Sequence, residues 1–235
     1  MKIAIMQPYI FPYIGYFSLI KYADYFVFFD TPQYIRKGWI NRNRIIGVTG
    51  GATFFTIPVQ KAKRETPINE IIISQHENWK MKILGQLNVY KKAPYYNDVM
   101  ELVNDTLSLQ TKSISDMAIA SIVKTCEYLG IHIKYDIFSE MNLQIPDVNE
   151  PDEWALYITK ELGYDTYVNP PGGKSFFNAD KYKKQNIDLQ FLEQEIIPYK
   201  QNRKEFIPSL SIIDVMMFCS INQINSMLCQ YQIER

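Results

Sequence analysis

The N-terminal residues alternate apolar runs with short breaks in a way that predicts a βαβ unit. Residues Lys2 to Met6 form a short apolar run rich in β-branched side chains, and two prolines then enforce a loop. A rough helical stripe follows, made of Ile14, Phe17, Leu19, Ile20 and Ala23. The run from Tyr25 to Phe29 is continuously apolar and ends at Asp30. Such a run is typical of a strand that is buried on both faces of a parallel sheet.

The remainder of the chain alternates helical and extended patterns. A hairpin is predicted from residues 43–46, the Gly50-Gly51 turn and residues 52–59, and residues 71–73 predict another short strand, so we expect a mixed sheet. Helices are predicted over residues 77–90, 96–104, 113–129, 152–162 and 211–229, and short strands over 131–138 and 166–168. Two of these helices begin with capping-box spacing, at Ser113 with Asp116 and at Ser211 with Asp214. Two are predicted to end at glycines, Gly130 and Gly163.

These patterns predict an α/β fold with a mixed, mainly parallel sheet, flanking helices and a helical C-terminal part. The length of 235 residues favours one main domain, residues 1–235, over two. Within it we expect residues 1–75 to form an N-terminal α/β unit and residues 76–235 to form the helical and α/β remainder.

Charge and cysteine usage narrow the classes of function. Lys and Arg number 25 and so do Asp and Glu, which leaves no long-range field to hold a nucleic acid, so any phosphate should be bound locally. The 3 cysteines lie in helix-like sequence, which favours three free thiols in a reducing compartment and a cytoplasmic protein. Gln7, Pro8 and Pro12 interrupt the apolar N-terminus, so we expect no signal peptide, and no long apolar run predicts a membrane span.

The loop between the first predicted strand and helix is the first candidate for chemistry. In open α/β sheets, ligands bind at the carboxyl ends of the strands, and a helix N-terminus offers free N–H groups and partial positive charge. Glycine permits close approach of the backbone, and tyrosines bring flat faces with hydroxyls. We expect the substrate-binding residues of this loop to be Gln7, Tyr9, Tyr13, Gly15 and Tyr16. The alternative is a proline-stiffened connection whose aromatic side chains belong to the core.

A second candidate is the polar, arginine-bearing segment of residues 30–45, which follows the second predicted strand. Because it should leave the same edge of the sheet as the first loop, we expect the two to line a single cleft. In an extended chain Arg42 and Arg44 share one face, and two forked guanidiniums suit phosphate or carboxylate. The expected catalytic residues are Asp30, Lys37, Arg42 and Arg44, and the expected substrate-binding residues are Gln33, Trp39, Asn41 and Asn43. The alternative is a solvated turn with scattered charges.

Weaker candidates lie elsewhere in the chain. The turn that contains Gly172, Gly173 and Lys174 could form a backbone anion nest and is expected to bind substrate. The spacing of its glycines and lysine is not that of a P-loop, and the alternative is a plain turn. Ser211 and Asp214 are explained by a helix cap better than by nucleophilic chemistry. Since neither His76 nor His132 has ligands at metal spacing, we expect no metal.

Several motifs spread along the chain resemble one family. They are QPYIFPYIGYF, FFDTPQYIRKGWINRNRI, TIPVQK, KAPYY, YVNPPGG and SIIDVM, and they extend from residue 7 to residue 216. This set is similar to the WbqC-like family, whose members resemble products of bacterial O-antigen, or lipopolysaccharide, loci. A role as a glycine transferase acting on an amino sugar has been proposed for the family. The resemblance implies that function but brings no catalytic residues with it.

A remoter resemblance implies a mechanism. The strand, the proline loop and Tyr13-Ile-Gly-Tyr16 are similar to the HxGH segment of α/β nucleotidylyl transferases, with pantothenate synthetase as the closest analogue. That class activates a carboxylate as an acyl adenylate and passes it to an amine. Both histidines of the motif are tyrosines here, and tyrosine, with a pKa of about 10, is a poor cation at neutral pH. Adenylyl transfer would then depend on Arg42, Arg44, Lys37 or Lys174, and the use of ATP is left open.

The first functional hypothesis is therefore an acyl or aminoacyl transferase that acts on the amine of a nucleotide-linked sugar. A glycosyltransferase or other sugar-nucleotide enzyme is the second, although the usual Asp-x-Asp metal motif is absent from the sequence. A non-catalytic carbohydrate- or protein-binding module of a polysaccharide assembly complex is the third. The crowded arginines favour an enzyme, because simple sugar binding rarely needs so many in one loop.

Overall fold

The computed structural model of the protein describes residues 1–75 and 78–235. In chain order its strands and helices are β1 (Lys2–Met6), α1 (Ile14–Tyr22), β2 (Tyr25–Phe28), β3 (Arg42–Ile46), β4 (Ala52–Thr56), α2 (Trp79–Leu87), α3 (Tyr96–Leu107), α4 (Ile114–Leu129), β5 (Tyr135–Ile137), α5 (Glu153–Glu161), β6 (Thr166–Asn169), α6 (Ala179–Lys184), β7 (Asp188–Gln194), α7 (Ile212–Phe218), α8 (Ile221–Met227) and β8 (Tyr231–Glu234). Short 3₁₀ helices cover Ile68–Glu70, Asn88–Tyr90, Phe138–Glu140 and Pro171–Phe176.

Within the described residues, the main sheet has six strands in the order β5-β2-β1-β6-β7-β8. All neighbouring strands pair in parallel except β7 and β8, which are antiparallel. The predicted α/β fold with a mixed, mainly parallel sheet and flanking helices is confirmed. The antiparallel strand of the sheet is β8, however, because the predicted hairpin, β3 with β4, forms a separate two-stranded sheet.

The central strand β1 is buried on both faces, which explains its continuous apolar sequence. Ile3 and Ile5 pack into one hydrophobic cluster together with residues of α5 and α6. Ala4 points to the opposite face, into a larger cluster that includes α1 and the helices that follow the hairpin. Since successive strand side chains alternate between faces, an apolar run without polar interruptions is what such a strand requires.

The division of the chain into domains stays a prediction.

Several predicted elements change length or character in the structure. Residues 71–73 do not form a strand and make only isolated bridges, of Ile72 with Ser113 and of Ile73 with Val59. The strand predicted over residues 131–138 is reduced to β5. Of the helix predicted over residues 77–90, the first residue lies outside the described part, and the end is a 3₁₀ turn after α2. The predicted stops are confirmed, because Gly130 and Gly163 adopt left-handed conformations with φ of 67° and 72°.

The helix predicted over residues 211–229 is wrong as a single element. The chain leaves helical geometry at Cys219, whose φ is −114° and ψ 139°, and a new helix, α8, begins after Ser220. Ser220 and Gln223 form a complete capping box there. The break separates α7 from α8 and turns the chain towards β8.

Asp214 is not part of a helix cap, which corrects the sequence interpretation. Ser211 does cap α7, because its hydroxyl accepts from the amide of Ile213 at 3.3 Å. The carboxylate of Asp214, by contrast, is fully buried and accepts from the hydroxyls of Tyr90 and Tyr199 and from the amide of Gln201. Burial raises the pKa of Asp214 above its ordinary value. We call these four residues the Asp214 network.

The three cysteines are free thiols, with Cys126 and Cys219 buried and Cys229 exposed. Cys219 and Cys229 do not share the single helix predicted over residues 211–229, because α7 ends at Phe218 and α8 at Met227. None of the helices in the described residues is both long and apolar enough to cross a membrane.

Candidate functional site

The order in which strands are added to the sheet reverses at β1. From β1 the chain crosses through α1 to β2 on one side, whereas β6 and β7 lie on the other side. The loops that leave the carboxyl ends of β1 and β6 therefore diverge and open a crevice between them. In open α/β sheets this topological switch point is where ligands bind. Two adjoining cavities lie at this position.

The first, which we call the aromatic cavity, has a volume of about 460 Å³. Its lining combines the ends of β1 and β6, the start of α5 and the turn after β6, with Gln7, Tyr9, Phe29, Trp154, Tyr167, Asn169, Gly172, Gly173, Phe176 and Phe177 among its residues. The rings form a packed wall, with Phe29 and Trp154 centroids 5.5 Å apart and those of Tyr167 and Phe177 5.6 Å apart. Such a wall suits the flat face of a base or sugar.

The second, which we call the arginine cavity, has a volume of about 430 Å³. It is lined by the first loop and by the start of the hairpin, through Met6, Tyr9, Pro12, Tyr13, Tyr16, Trp39, Asn43, Arg44, Pro170 and Ser209. Met6, Tyr9 and Pro170 line both cavities, so the two are halves of one crevice, the switch-point cleft. The first loop and the end of the arginine-bearing segment line one cavity, through Tyr13 and Arg44 among others, whereas Arg42 does not line it.

Arg44 supplies the positive charge of the cleft. Its guanidinium is half-buried, donates from Nη2 to the carbonyl of Ser209 at 3.0 Å and lies 5.8 Å from the ring centroid of Trp39. Its Nε is buried and has no hydrogen-bond partner. Among the described residues, no carboxylate forms an ion pair with Arg44. A buried guanidinium donor without an acceptor is costly, and the accessible side of the same guanidinium suits an anion in the cavity.

Arg42 lies on the same face of β3 as Arg44, but its guanidinium has different partners. Its Nε donates to the carbonyl of Gly38 at 3.0 Å, and Nη2 donates to the carbonyl of Lys37. The guanidinium lies 4.3 Å from the ring centroid of Phe54. These bonds hold the turn before β3, and Arg42 is not part of the lining of either cavity. The structure therefore separates the two arginines that the sequence treats as a pair.

The tyrosines of the first loop are hydrogen-bond donors at neutral pH. Burial raises the pKa of Tyr9 and of Tyr13, and for Tyr9 the neighbouring Tyr13 adds to the effect. Tyr16 is almost fully buried, and its hydroxyl donates to the carbonyl of Gln7 at 3.0 Å. Tyr16 thus fixes the loop and forms a wall, while Tyr9 and Tyr13 face the cleft.

Gly15 lies directly beneath the ring of Tyr13. A Cβ at this position would stand 2.5 Å from Cε2 of Tyr13, closer than any real contact. We predict that Gly15→Ala displaces Tyr13 and weakens the binding of a nucleotide sugar. The free energy of unfolding should change by only about 1 kcal/mol, which is the difference in helix propensity between alanine and glycine. Calorimetric titration and urea unfolding measure the two effects.

Gly85→Ala is the matched control, because no atom lies within 4 Å of a Cβ at that helical position. It should give the same helix-propensity gain without a change in ligand affinity. Equal affinities of the Gly15 variant and the wild type would contradict a role for Tyr13 in the cleft.

The remaining predicted site residues are engaged elsewhere. Asp30 is buried and accepts from the amide and the hydroxyl of Ser139, at 3.0 and 2.6 Å. The side chain of Asn41 accepts from Tyr34 and donates to Ile57, both at 2.8 Å. The Lys37 side chain is exposed, and Gln33 lies in a separate groove described below.

Two further predicted residues have structural contacts. Asn43 lines the arginine cavity but donates to the carbonyls of Ile10 and Phe11, at 3.2 and 2.7 Å, so it ties the first loop to β3. Lys174 forms an ion pair with Glu234 of β8, and its ammonium lies 5.8 Å from the ring centroid of Phe191. Gly172 and Gly173 line the aromatic cavity without Lys174.

Sequence reasoning missed most of the aromatic cavity. Trp154, Tyr167 and Phe177 come from elements far from the first loop in sequence, so no local spacing connects them with it. His132 is exposed between α4 and β5, and His76 lies outside the described residues. In the part of the chain that the structure covers, no group of three His, Cys, Asp or Glu is placed to hold a metal ion.

Known sequences match this chain along nearly its whole length. The sequence model of the WbqC-like protein family matches residues 7–226. The uncharacterized protein Rv1507c of Mycobacterium tuberculosis is 26% identical over 218 residues, which cover 92% of each chain. No solved structure matches the chain. Because the family match extends over both loops of the switch-point cleft and over nearly the whole sequence, the protein belongs to the WbqC-like family.

Proposed function

We propose that this protein is an enzyme of surface-polysaccharide biosynthesis that transfers a glycyl or other small acyl group to the amine of a nucleotide-linked amino sugar. The substrate binds in the switch-point cleft. The choice of reaction comes from the family, for which glycine transfer to an amino sugar has been suggested. The choice of substrate class comes from the cleft, which combines one cation with a wall of aromatic rings.

The observation that carries the proposal is that the guanidinium of Arg44 has an unpaired hydrogen-bond donor and no ion-pair partner among the described residues. The unpaired donor is the buried Nε. A diphosphate beside Arg44 would accept from its guanidinium and would lie near the start of α1, where Tyr13 provides no side-chain cap. The aromatic cavity next to it would then take the base or the sugar.

In the proposed reaction, the amine nitrogen attacks the carbonyl carbon of an activated acyl donor. An amide bond forms, the bond to the leaving group breaks, and the amine loses one proton. Tyr9 and Tyr13 stay protonated because burial raises the pKa of both, so they donate to the developing oxyanion and do not act as bases. The donor would be an acyl adenylate, formed from glycine and ATP with release of pyrophosphate, and the phosphate oxygen of the departing AMP would accept the proton. Arg44 would stay bound to the diphosphate of the nucleotide sugar.

A second candidate, a non-catalytic module that binds sugar nucleotides, is favoured by one observation. Among the described residues that line the cleft, there is no His, Asp, Glu, Cys or Lys that could act as a general base. A glycosyltransferase or other sugar-nucleotide enzyme would use the same cleft for the same ligand class. These functions differ in the product that they release.

The experiment is incubation of the pure protein with UDP-glucosamine, glycine and ATP, followed by mass spectrometry. UDP-glucosamine is chosen because its amine is free, and UDP-N-acetylglucosamine, whose amine is blocked, is the control. We expect one glycyl group to be added to UDP-glucosamine and none to the control.

Binding of UDP-glucosamine without any adduct would favour the non-catalytic module. Release of UDP with transfer of the sugar would favour a glycosyltransferase. Absence of both binding and adduct would contradict the proposal.

A further inference from the structure

A second concave surface lies outside the switch-point cleft. It is a groove of about 790 Å³ between two loop segments, residues 33–36 and residues 59–64. It shares no lining residue with either half of the cleft. We call it the cationic groove, because Arg36, Lys61, Lys63 and Arg64 all line it.

Hydrogen bonds between its two segments fix the shape of the groove. Nη2 of Arg36 donates to the carbonyl of Ala62 at 2.7 Å, and Nε2 of Gln33 donates to the carbonyl of Arg64 at 2.7 Å. The backbone amide of Tyr34 donates to Thr66 at 2.9 Å. Because both walls are tied at several points, the groove is formed before a ligand arrives, which lowers the cost of binding.

The four basic side chains that line the groove, Arg36, Lys61, Lys63 and Arg64, are exposed. Among the described residues, none of them forms an ion pair. Like charges held close together repel one another, and a bound anion would remove that repulsion.

The form of the groove selects the kind of anion. Its volume is in the range of about 300–1,000 Å³ that is usual for small-molecule sites and exceeds the space that a single phosphate needs. A concave site between two loops suits a discrete ligand better than a flat bilayer surface. Lysine and arginine are the side chains that bind phosphate groups. The groove therefore matches a ligand that carries several linked phosphates.

We propose that the cationic groove binds a polyphosphate-bearing small molecule at a site separate from the switch-point cleft. The proposal does not depend on the proposed transferase activity. Calorimetric titration of inorganic tripolyphosphate into the full-length protein at low salt tests it directly. We expect binding that weakens about 10-fold or more in the double variant Lys61→Glu, Lys63→Glu.

The double variant Lys183→Glu, Lys184→Glu is the matched control. It changes the net charge by the same amount at two exposed lysines of α6, and we expect it to bind as the wild type does. The substituted lysines of both variants are exposed, so both proteins should fold, which circular dichroism checks.

Three results of the tripolyphosphate titrations would overturn the proposal. The first is no binding of tripolyphosphate to the wild type, and the second is an equal loss in both double variants, which indicates a general charge effect. The third is retained binding in the Lys61 and Lys63 variant, which indicates that tripolyphosphate is held outside the cationic groove. A separate arm uses vesicles of phosphatidylglycerol or phosphatidylcholine. Binding to the anionic vesicles without binding to tripolyphosphate would identify a membrane surface as the partner and would also overturn the proposal.

Discussion

Replacing Arg44 by alanine is expected to weaken the binding of UDP-glucosamine by about 2–5 kcal/mol, the usual effect of removing one partner of a buried charge pair. This corresponds to a rise in Kd of roughly 30-fold to several thousand-fold. The reason is that no carboxylate among the described residues pairs with the Arg44 guanidinium, so the phosphate of the ligand is its expected partner. Arg44→Lys keeps the charge but loses the planar fork, and its affinity should lie between those of the wild type and the alanine variant.

Arg42→Ala is the matched control on the same strand. The guanidinium of Arg42 is already bonded to the carbonyls of Lys37 and Gly38, so its loss should change affinity by about 1 kcal/mol or less. Isothermal titration calorimetry with each folded variant measures both effects. Unchanged affinity in Arg44→Ala, or an equal loss in both variants, would contradict the assignment of Arg44 as the anion-binding residue.

The second large effect is expected at Asp214. Asp214→Ala leaves two tyrosine hydroxyls and the amide of Gln201 buried without their acceptor, and each such donor costs about 1–3 kcal/mol. We expect the free energy of unfolding to fall by about 3–5 kcal/mol, and the melting temperature of a chain of this size to fall by roughly 10 °C. Urea unfolding followed by circular dichroism measures the change. A loss below about 1 kcal/mol would show that the network does not stabilise the fold.

Asp214→Asn provides the pH test of the same network. Burial raises the pKa of Asp214 in the folded protein, so the folded protein binds a proton at this carboxyl more tightly than the unfolded chain does. The stability linked to the protonated form is complete below the pKa of the unfolded chain and is lost as pH rises through the raised value. Asparagine does not titrate, so the stability of the wild type relative to Asp214→Asn should decrease as pH rises. An increase with pH would contradict the direction of the shift.

The N-terminal βαβ unit could be predicted because its signals are local. The apolar run of β1 and the prolines of the first loop needed only their own sequence to be interpreted. The break between α7 and α8 was missed because the apolar pattern continues through Cys219. A local signal was nevertheless present, since Ser220 and Gln223 have the spacing of a capping box.

The site could be predicted only in part, because partners that are distant in sequence decide the use of each side chain. Alternation along β3 correctly predicted that Arg42 and Arg44 share a face. The guanidinium of Arg42 is occupied by the carbonyls of residues 37 and 38, whereas that of Arg44 is not. No sequence pattern predicts these hydrogen bonds. Asp214 fits a cap by its spacing from Ser211, yet its partners Tyr90 and Tyr199 come from other segments.

The central claim is that the switch-point cleft holds the nucleotide-linked amino sugar. A crystal structure of the protein with UDP-glucosamine tests it most directly. We predict electron density for the diphosphate beside the guanidinium of Arg44 and for the base or the sugar against Trp154 and Phe177. UDP-glucosamine bound in the cationic groove, or elsewhere with the cleft empty, would contradict the account.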